Sequence, residues 1–207
     1  MNKFLIFDLD GVLIDSKNIH FKTLNKVLSK INKKYIISKK DQKNIYEGLP
    51  TIKKLEILTN LHNLPKELYE IINKKKQEYT IEEFKKIKLD NELIKIFSYL
   101  KEKKIMIGVA SNSTRKTLDM CLHNLGIDKY IDISLSNEDV VNPKPNPEIY
   151  IKCINYFNVD PNFVIIFEDS KIGIQAAKAS GSKVIEITKR SDINLKFIKN
   201  IIEEKNE

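Results

Sequence analysis

The sequence predicts an α/β fold: a Rossmann-like parallel sheet with helices on both faces, interrupted by an inserted helical bundle. Three observations predict it. Short apolar runs rich in β-branched residues recur along the chain. Helical patterns separate the later runs, as in βαβ units. Residues 16–87, after the first run, show helical patterning and no convincing strand.

The strand signals are "FLIFDLD" (Phe4–Asp10), "KIMIGVAS" (Lys104–Ser111), "YIDISLS" (Tyr130–Ser136), "FVIIFED" (Phe163–Asp169) and "KVIEIT" (Lys183–Thr188). Near-continuous apolar runs of this kind suit strands buried on both faces. Asp90 caps a helix that runs to Lys104, where lysines suit a helix C-terminus. The helix Ser113–Gly126 closes on a glycine C-cap. Asn146 serves as a cap with Pro147 at the first helical position, opening a helix to Phe157. A last pattern, Asp169–Gly181, also ends on glycine. The insert reads as four helical segments: Lys17–Asn32, Lys39–Glu47, Thr51–Leu61 and Pro65–Phe84. This gives a core of residues 1–15 and 88–207 and an inserted unit of residues 16–87. The tail Ile201–Glu207 reads as frayed and solvated.

Composition narrows the function. The chain has 207 residues, net charge +8 and pI near 9.2, with 42% hydrophobic and 31% charged residues. Arg115 and Arg190 are the only arginines, and the lysines are spread throughout. Sequence-specific nucleic-acid readers cluster basic residues and favour arginine at bases, so no specific nucleic-acid role is expected. The charge still favours anionic substrates. Cys121 and Cys153 lack CxxC spacing and read as buried free thiols of a reducing compartment. Neither a signal peptide nor a run of membrane-spanning length is visible, so a cytoplasmic protein is expected, with a monomer as the default.

The chemistry gathers where strands end. Ligands of open parallel sheets bind outside the carboxyl ends of the strands. The first run ends in Asp8 and Asp10, followed by Gly11. The second ends in Ser111 and Asn112. Lys144 lies among prolines in a loop before a helix, and a later strand ends in Glu168 and Asp169. Carboxylates from two strand ends make an all-oxygen site suited to Mg²⁺. A nearby lysine, hydroxyl and backbone N–H groups would cradle a phosphoryl group.

These segments, "DLDGV", "VASNS", "NPKPNPEIY" and "IIFEDSKIGIQAA", resemble in order and spacing the four motifs of the haloacid dehalogenase-like (HAD) phosphohydrolase superfamily. The resemblance covers the whole chain. The helical insert is similar to the small cap of the phosphoglycolate phosphatase and β-phosphoglucomutase-like branch. The second aspartate distinguishes phosphotransfer members from dehalogenases. The resemblance implies Asp8 as the nucleophile that becomes an aspartyl phosphate, and Asp10 as general acid and base whose carbonyl ligates metal. It implies Ser111 on a phosphoryl oxygen, Lys144 as the neutralising cation, and Mg²⁺ held by Asp8, Asp10, Asp169 and Glu168, the last directly or through water. Gly11 would allow a sharp turn and close phosphate approach. Asn112 would help position substrate. On the insert, the resemblance points to His20 and to the segment Tyr46–Thr51, with Gly48 and Thr51, as substrate-facing. His62 and His123 show no partner pattern.

A Mg²⁺-dependent phosphatase of a small phosphorylated metabolite, a sugar phosphate or phosphoglycolate, is the favoured reading. The alternatives are a β-phosphoglucomutase-like phosphomutase and a non-catalytic binding module. The mutases of this branch grip a distal phosphate with a cap arginine. The matching place here holds Thr51, with Lys53 and Lys54 nearby, and lysine lacks the bidentate fork. The insert is expected to open and close about hinges near Asp15–Ser16 and Phe84–Leu89.

Overall fold

The computed structural model describes residues 3–46 and 49–203. Five parallel strands form one sheet: β1 (Phe4–Phe7), β2 (Met106–Ala110), β3 (Ile133–Leu135), β4 (Val164–Glu168) and β5 (Lys183–Glu186). Their order is β3-β2-β1-β4-β5, so β1 is central. Phe4 to Phe7 pair with Met106 to Val109 on one side and with Val164 to Phe167 on the other. All four β1 side chains are fully buried, which explains a strand with no polar alternation.

The two sheet faces divide by the strand period of two. Phe4, Ile6, Val164 and Ile166 share a core with α7 (Glu148–Phe157) and α8 (Lys171–Ala179) through Ile149, Tyr150, Cys153, Ala176 and Ala177. On the opposite face Phe7 stacks on Phe167 at 4.6 Å between ring centroids. It also meets Phe97 of α5 (Asn91–Glu102) at 5.2 Å, while Phe167 meets Phe197 of α9 (Leu195–Glu203) at 6.4 Å. The helix α6 (Arg115–Leu125) follows β2.

Several ends differ from the sequence reading. Each strand is shorter than expected. β1 stops at Phe7 rather than Asp10, and β4 at Glu168 rather than Asp169, because the polar residues leave the ladder. Asp90 does cap α5, its Oδ1 accepting from Glu92 N and Leu93 N. Thr114 caps α6, which starts at Arg115, and Gly126 closes it in the left-handed conformation. α7 starts at Glu148, not Pro147, although Asn146 Oδ1 still accepts from Glu148 N at 3.0 Å. Ser170 caps α8, its side chain accepting from Gly173 N.

By its contacts the chain forms two compact units: Ser16–Lys86, and the residues on either side of it. The first contains α1 (Ser16–Ile31), α2 (Lys39–Asp41, continued by a wider turn to Tyr46), α3 (Thr51–His62) and α4 (Tyr69–Phe84). α4 is preceded by a tight turn at Lys66–Leu68, so the segment expected from Pro65 is not one continuous helix. Leu24, Val27, Leu28, Leu55, Leu58 and Ile72 form this unit's own core. The buried Thr23 and Thr80 hydroxyls join α1 to α4 at 3.1 Å. Of the Lys39–Glu47 segment, Glu47 lies outside the described residues.

Candidate active site

The register of the central strands builds the site. One step beyond the Phe7–Phe167 pair, Asp8 N donates to Phe167 O at 3.0 Å. This levels Asp8 with Ala110 of β2 and Glu168 of β4. Lys144 Nζ enters from the loop before α7 and donates to all three: Asp8 Oδ1 at 2.7 Å, Glu168 Oε1 at 2.7 Å and Ala110 O at 2.9 Å. Its side chain is 3% exposed, so this lysine is no surface group. Burial alone would pull its pKa down, but the Asp8 and Glu168 carboxylates outweigh that and hold it above its ordinary value. Burial and the Glu168 charge push Asp8 well up, and Lys144 only partly offsets them.

Glu168 is saturated by donors. Its Oε1 also accepts from Tyr150 Oη at 2.7 Å. Its Oε2 accepts from Asp169 N at 3.0 Å, Ser170 N at 3.3 Å and Ser170 Oγ at 3.2 Å, at the start of α8. A Cβ on Gly173, in the first turn of α8, would lie 1.9 Å from Glu168 Oε1, so only glycine leaves room for that carboxylate.

Oxygens of Asp8, Glu168 and Asp169 lie within 4.8 Å of one another. Gly11 turns the chain with φ +84°, and a Cβ there would meet Asp169 Oδ2 at 2.0 Å. Three carboxylates against one lysine leave an excess of negative charge, and their donor set is all oxygen. That combination fits a hard divalent cation.

Asp10 leaves the ladder with its carboxylate Oδ2 accepting from Ser113 Oγ at 3.1 Å. Ser111 is fully buried, and its Oγ accepts from Ser113 N at 3.0 Å. Asn112 grips the lysine loop by its backbone: Lys144 N donates to Asn112 Oδ1 at 3.2 Å, and Asn112 Nδ2 donates to Lys144 O at 3.4 Å. Glu148 holds the same loop one step earlier, accepting from Val141 N at 3.0 Å and Asn142 N at 2.9 Å.

The structure thus brings Asp8, Lys144, Glu168 and Asp169 together, with Gly11 against Asp169 and Asn112 on the lysine backbone. His20 lies on α1 with its ring 6.0 Å from that of Phe84, and Thr51 begins α3; both belong to the helical unit. Gly48 lies outside the described residues. Sequence reasoning missed Tyr150, Gly173, Ser113 and Glu148. A tyrosine on an apolar helix stripe reads as core. Lys53 Nζ is engaged with Glu56 at 2.8 Å within α3, and Lys54 Nζ approaches Gln42 Oε1 at 3.4 Å. Cys121 and Cys153 are buried and free, and burial pushes both thiols up to about 12.

Comparison with known proteins fits this geometry. The chain matches the haloacid dehalogenase-like hydrolase family over residues 5–187. It is 32% identical over 185 residues to a phosphorylated carbohydrates phosphatase of Thermotoga maritima, covering 86% of this chain and 81% of that protein. It is 26% identical to the fructose-1-phosphate phosphatase YqaB of Escherichia coli, over 88% of this chain and 95% of that one. A crystal structure of β-phosphoglucomutase from Clostridium difficile shares the fold with TM-score 0.70 at 22% identity, covering 99% and 98% of the two chains. With three strand ends converging on one buried lysine, the chain belongs to the haloacid dehalogenase-like hydrolase family and is an enzyme of its phosphatase kind.

Proposed function

We propose that this enzyme is a Mg²⁺-dependent phosphohydrolase of small phosphorylated carbohydrates that works through an aspartyl phosphate on Asp8. The observation that carries the reading is Lys144 Nζ bridging Asp8 and Glu168 beside Asp169. The names of the two phosphatase relatives support the substrate class.

Asp8 would attack phosphorus with a carboxylate oxygen. The P–O bond to the sugar breaks as the new bond to Asp8 forms, and Asp10 gives its proton to the departing alkoxide. Asp10 then takes a proton from water, whose oxygen attacks phosphorus, releasing phosphate and restoring Asp8. Ser111 Oγ accepts from Ser113 N, so its own proton can turn toward a phosphoryl oxygen. Lys144 keeps its charge throughout and offsets the charge that builds between Asp8 and the phosphoryl group. Asp8, the Asp10 carbonyl and Asp169 would hold Mg²⁺, with Glu168 linked through water, since both its oxygens already accept hydrogen bonds. When bound, the ion would supply positive charge that offsets the charge of the phosphoryl group. Residues 16–86 would act as the cap that selects substrate through His20, Gly48 and Thr51.

The test is a phosphorus NMR time course with Mg²⁺ and a panel of sugar phosphates, phosphoglycolate and nucleotides. Free phosphate from one or a few sugar phosphates is expected, with loss on chelation and return on adding Mg²⁺. Asp8→Asn should keep the circular dichroism of the folded protein while losing turnover. A phosphate that moves between carbons without release would replace this reading with the mutase.

A further inference from the structure

We propose that Arg190 is a positioning residue that braces the Asp10 turn against the point where the chain returns to the core after the helical unit. The proposal rests on Asp10 being the acid–base group. Arg190 follows β5 in a tight turn, Arg190–Asp192. Its fork reaches three acceptors on three segments. Nε donates to Leu13 O at 2.9 Å, Nη1 to Ile193 O at 3.1 Å and Nη2 to Asp90 Oδ2 at 2.5 Å.

Two of these acceptors, Leu13 O and Asp90 Oδ2, belong to groups that are themselves held. The Leu13–Ile14 peptide gives its carbonyl to Arg190 and its N–H to Leu9 O at 3.0 Å. Gly11 N donates to Ile14 O at 2.7 Å, closing the turn around Asp10. Asp90 caps α5 with its other oxygen, and its N–H donates to Leu125 O at 3.2 Å. Arg190 therefore holds Leu13, three residues before Ser16, and Asp90, four residues after Lys86.

An exposed ion pair would be worth little. This one differs in kind: the Arg190 side chain is 17% exposed, and two of its acceptors are backbone carbonyls. The planar fork suits such a task, whereas a lysine is a point charge on a flexible stem. Its use at this position, in a chain with only two arginines, matches that geometry.

The test compares full-length wild type, Arg190→Ala and Arg190→Lys by amide hydrogen exchange and steady-state kinetics on the substrate found by phosphorus NMR. Arg190→Ala should speed exchange at Leu13, Ile14 and Asp90 by about tenfold and leave β4 amides unchanged. It should lower kcat about tenfold with KM within about twofold, and added guanidinium should restore part of kcat. Arg190→Lys should recover the Asp90 amide more than the Leu13 and Ile14 amides; it reads the same quantities if the alanine variant does not fold. Unchanged exchange at Leu13 and Ile14, full activity in Arg190→Lys, or a raised KM with unchanged kcat each overturns the brace. If the wild type turns over no phosphomonoester, the proposed function fails while the exchange comparison still decides the brace.

Discussion

Lys144 is the residue on which most of the site turns. It is buried between two carboxylates, and removing one partner of a buried ion pair costs about 3–5 kcal/mol because the other charges stay desolvated. Lys144→Met should therefore destabilise the protein by about that amount at neutral pH and lower kcat by at least about 100-fold. Asp8 is already held above its ordinary value by burial and Glu168. A carboxyl raised in the folded state takes up its proton at higher pH than in the unfolded chain. The penalty in Lys144→Met should accordingly shrink as pH falls toward the ordinary aspartate range, which thermal melts across pH will show. Lys144 itself was legible in the sequence only through its "NPKPNPEIY" surroundings, since one lysine among so many carries no signal. Tyr150 and Gly173 were not legible: their importance lies in where the Glu168 oxygens fall, which no linear pattern encodes. Arg190 stood out only by being an arginine.

At the scale of elements, the loop from Val140 to Pro147 is the part of the site with least secondary structure, and Glu148 and Asn112 fasten it. Hydrogen bonds from Val141 N and Asn142 N hold the Glu148 carboxyl at about 2, below the ordinary 4.5. A carboxyl depressed in the folded state adds stability that is present above its unfolded pKa and is lost as pH falls through the folded one. Between pH 5 and 2 the wild type should lose stability relative to Glu148→Gln. Denaturant melts of the two proteins at several pH values in that window check this, and parallel curves would contradict it. The caps at Asp90 and Gly126 were readable because a cap depends on one local side chain or one left-handed residue. Strand ends were read too long for the opposite reason. Asp8 and Asp10 look continuous with an apolar run, yet their carboxylates are committed to Lys144 and Ser113, partners distant in sequence.

For the whole molecule, net charge matters more than any one surface lysine. With +8 on the chain, a phosphorylated substrate is drawn in over a distance that salt shortens. kcat/KM should fall several-fold between about 20 and 500 mM salt while kcat at saturation changes little, and equal losses in both would contradict the steering. The order β3-β2-β1-β4-β5 carries a different consequence, for biosynthesis. The central strand, Phe4–Phe7, has its two neighbours at Met106–Ala110 and Val164–Glu168. Ribosomes add roughly 5–20 residues per second, so this bare apolar segment waits on the order of ten seconds or more for its second flank. For the first part of that interval β1 has no flanking strand, and for all of it Asp8 lacks Glu168 and Asp169 beside it. Chemistry switches on only with the last third of the polypeptide, so a ribosome stalled before Glu168 would present a sticky, inert fragment that chaperones must shield.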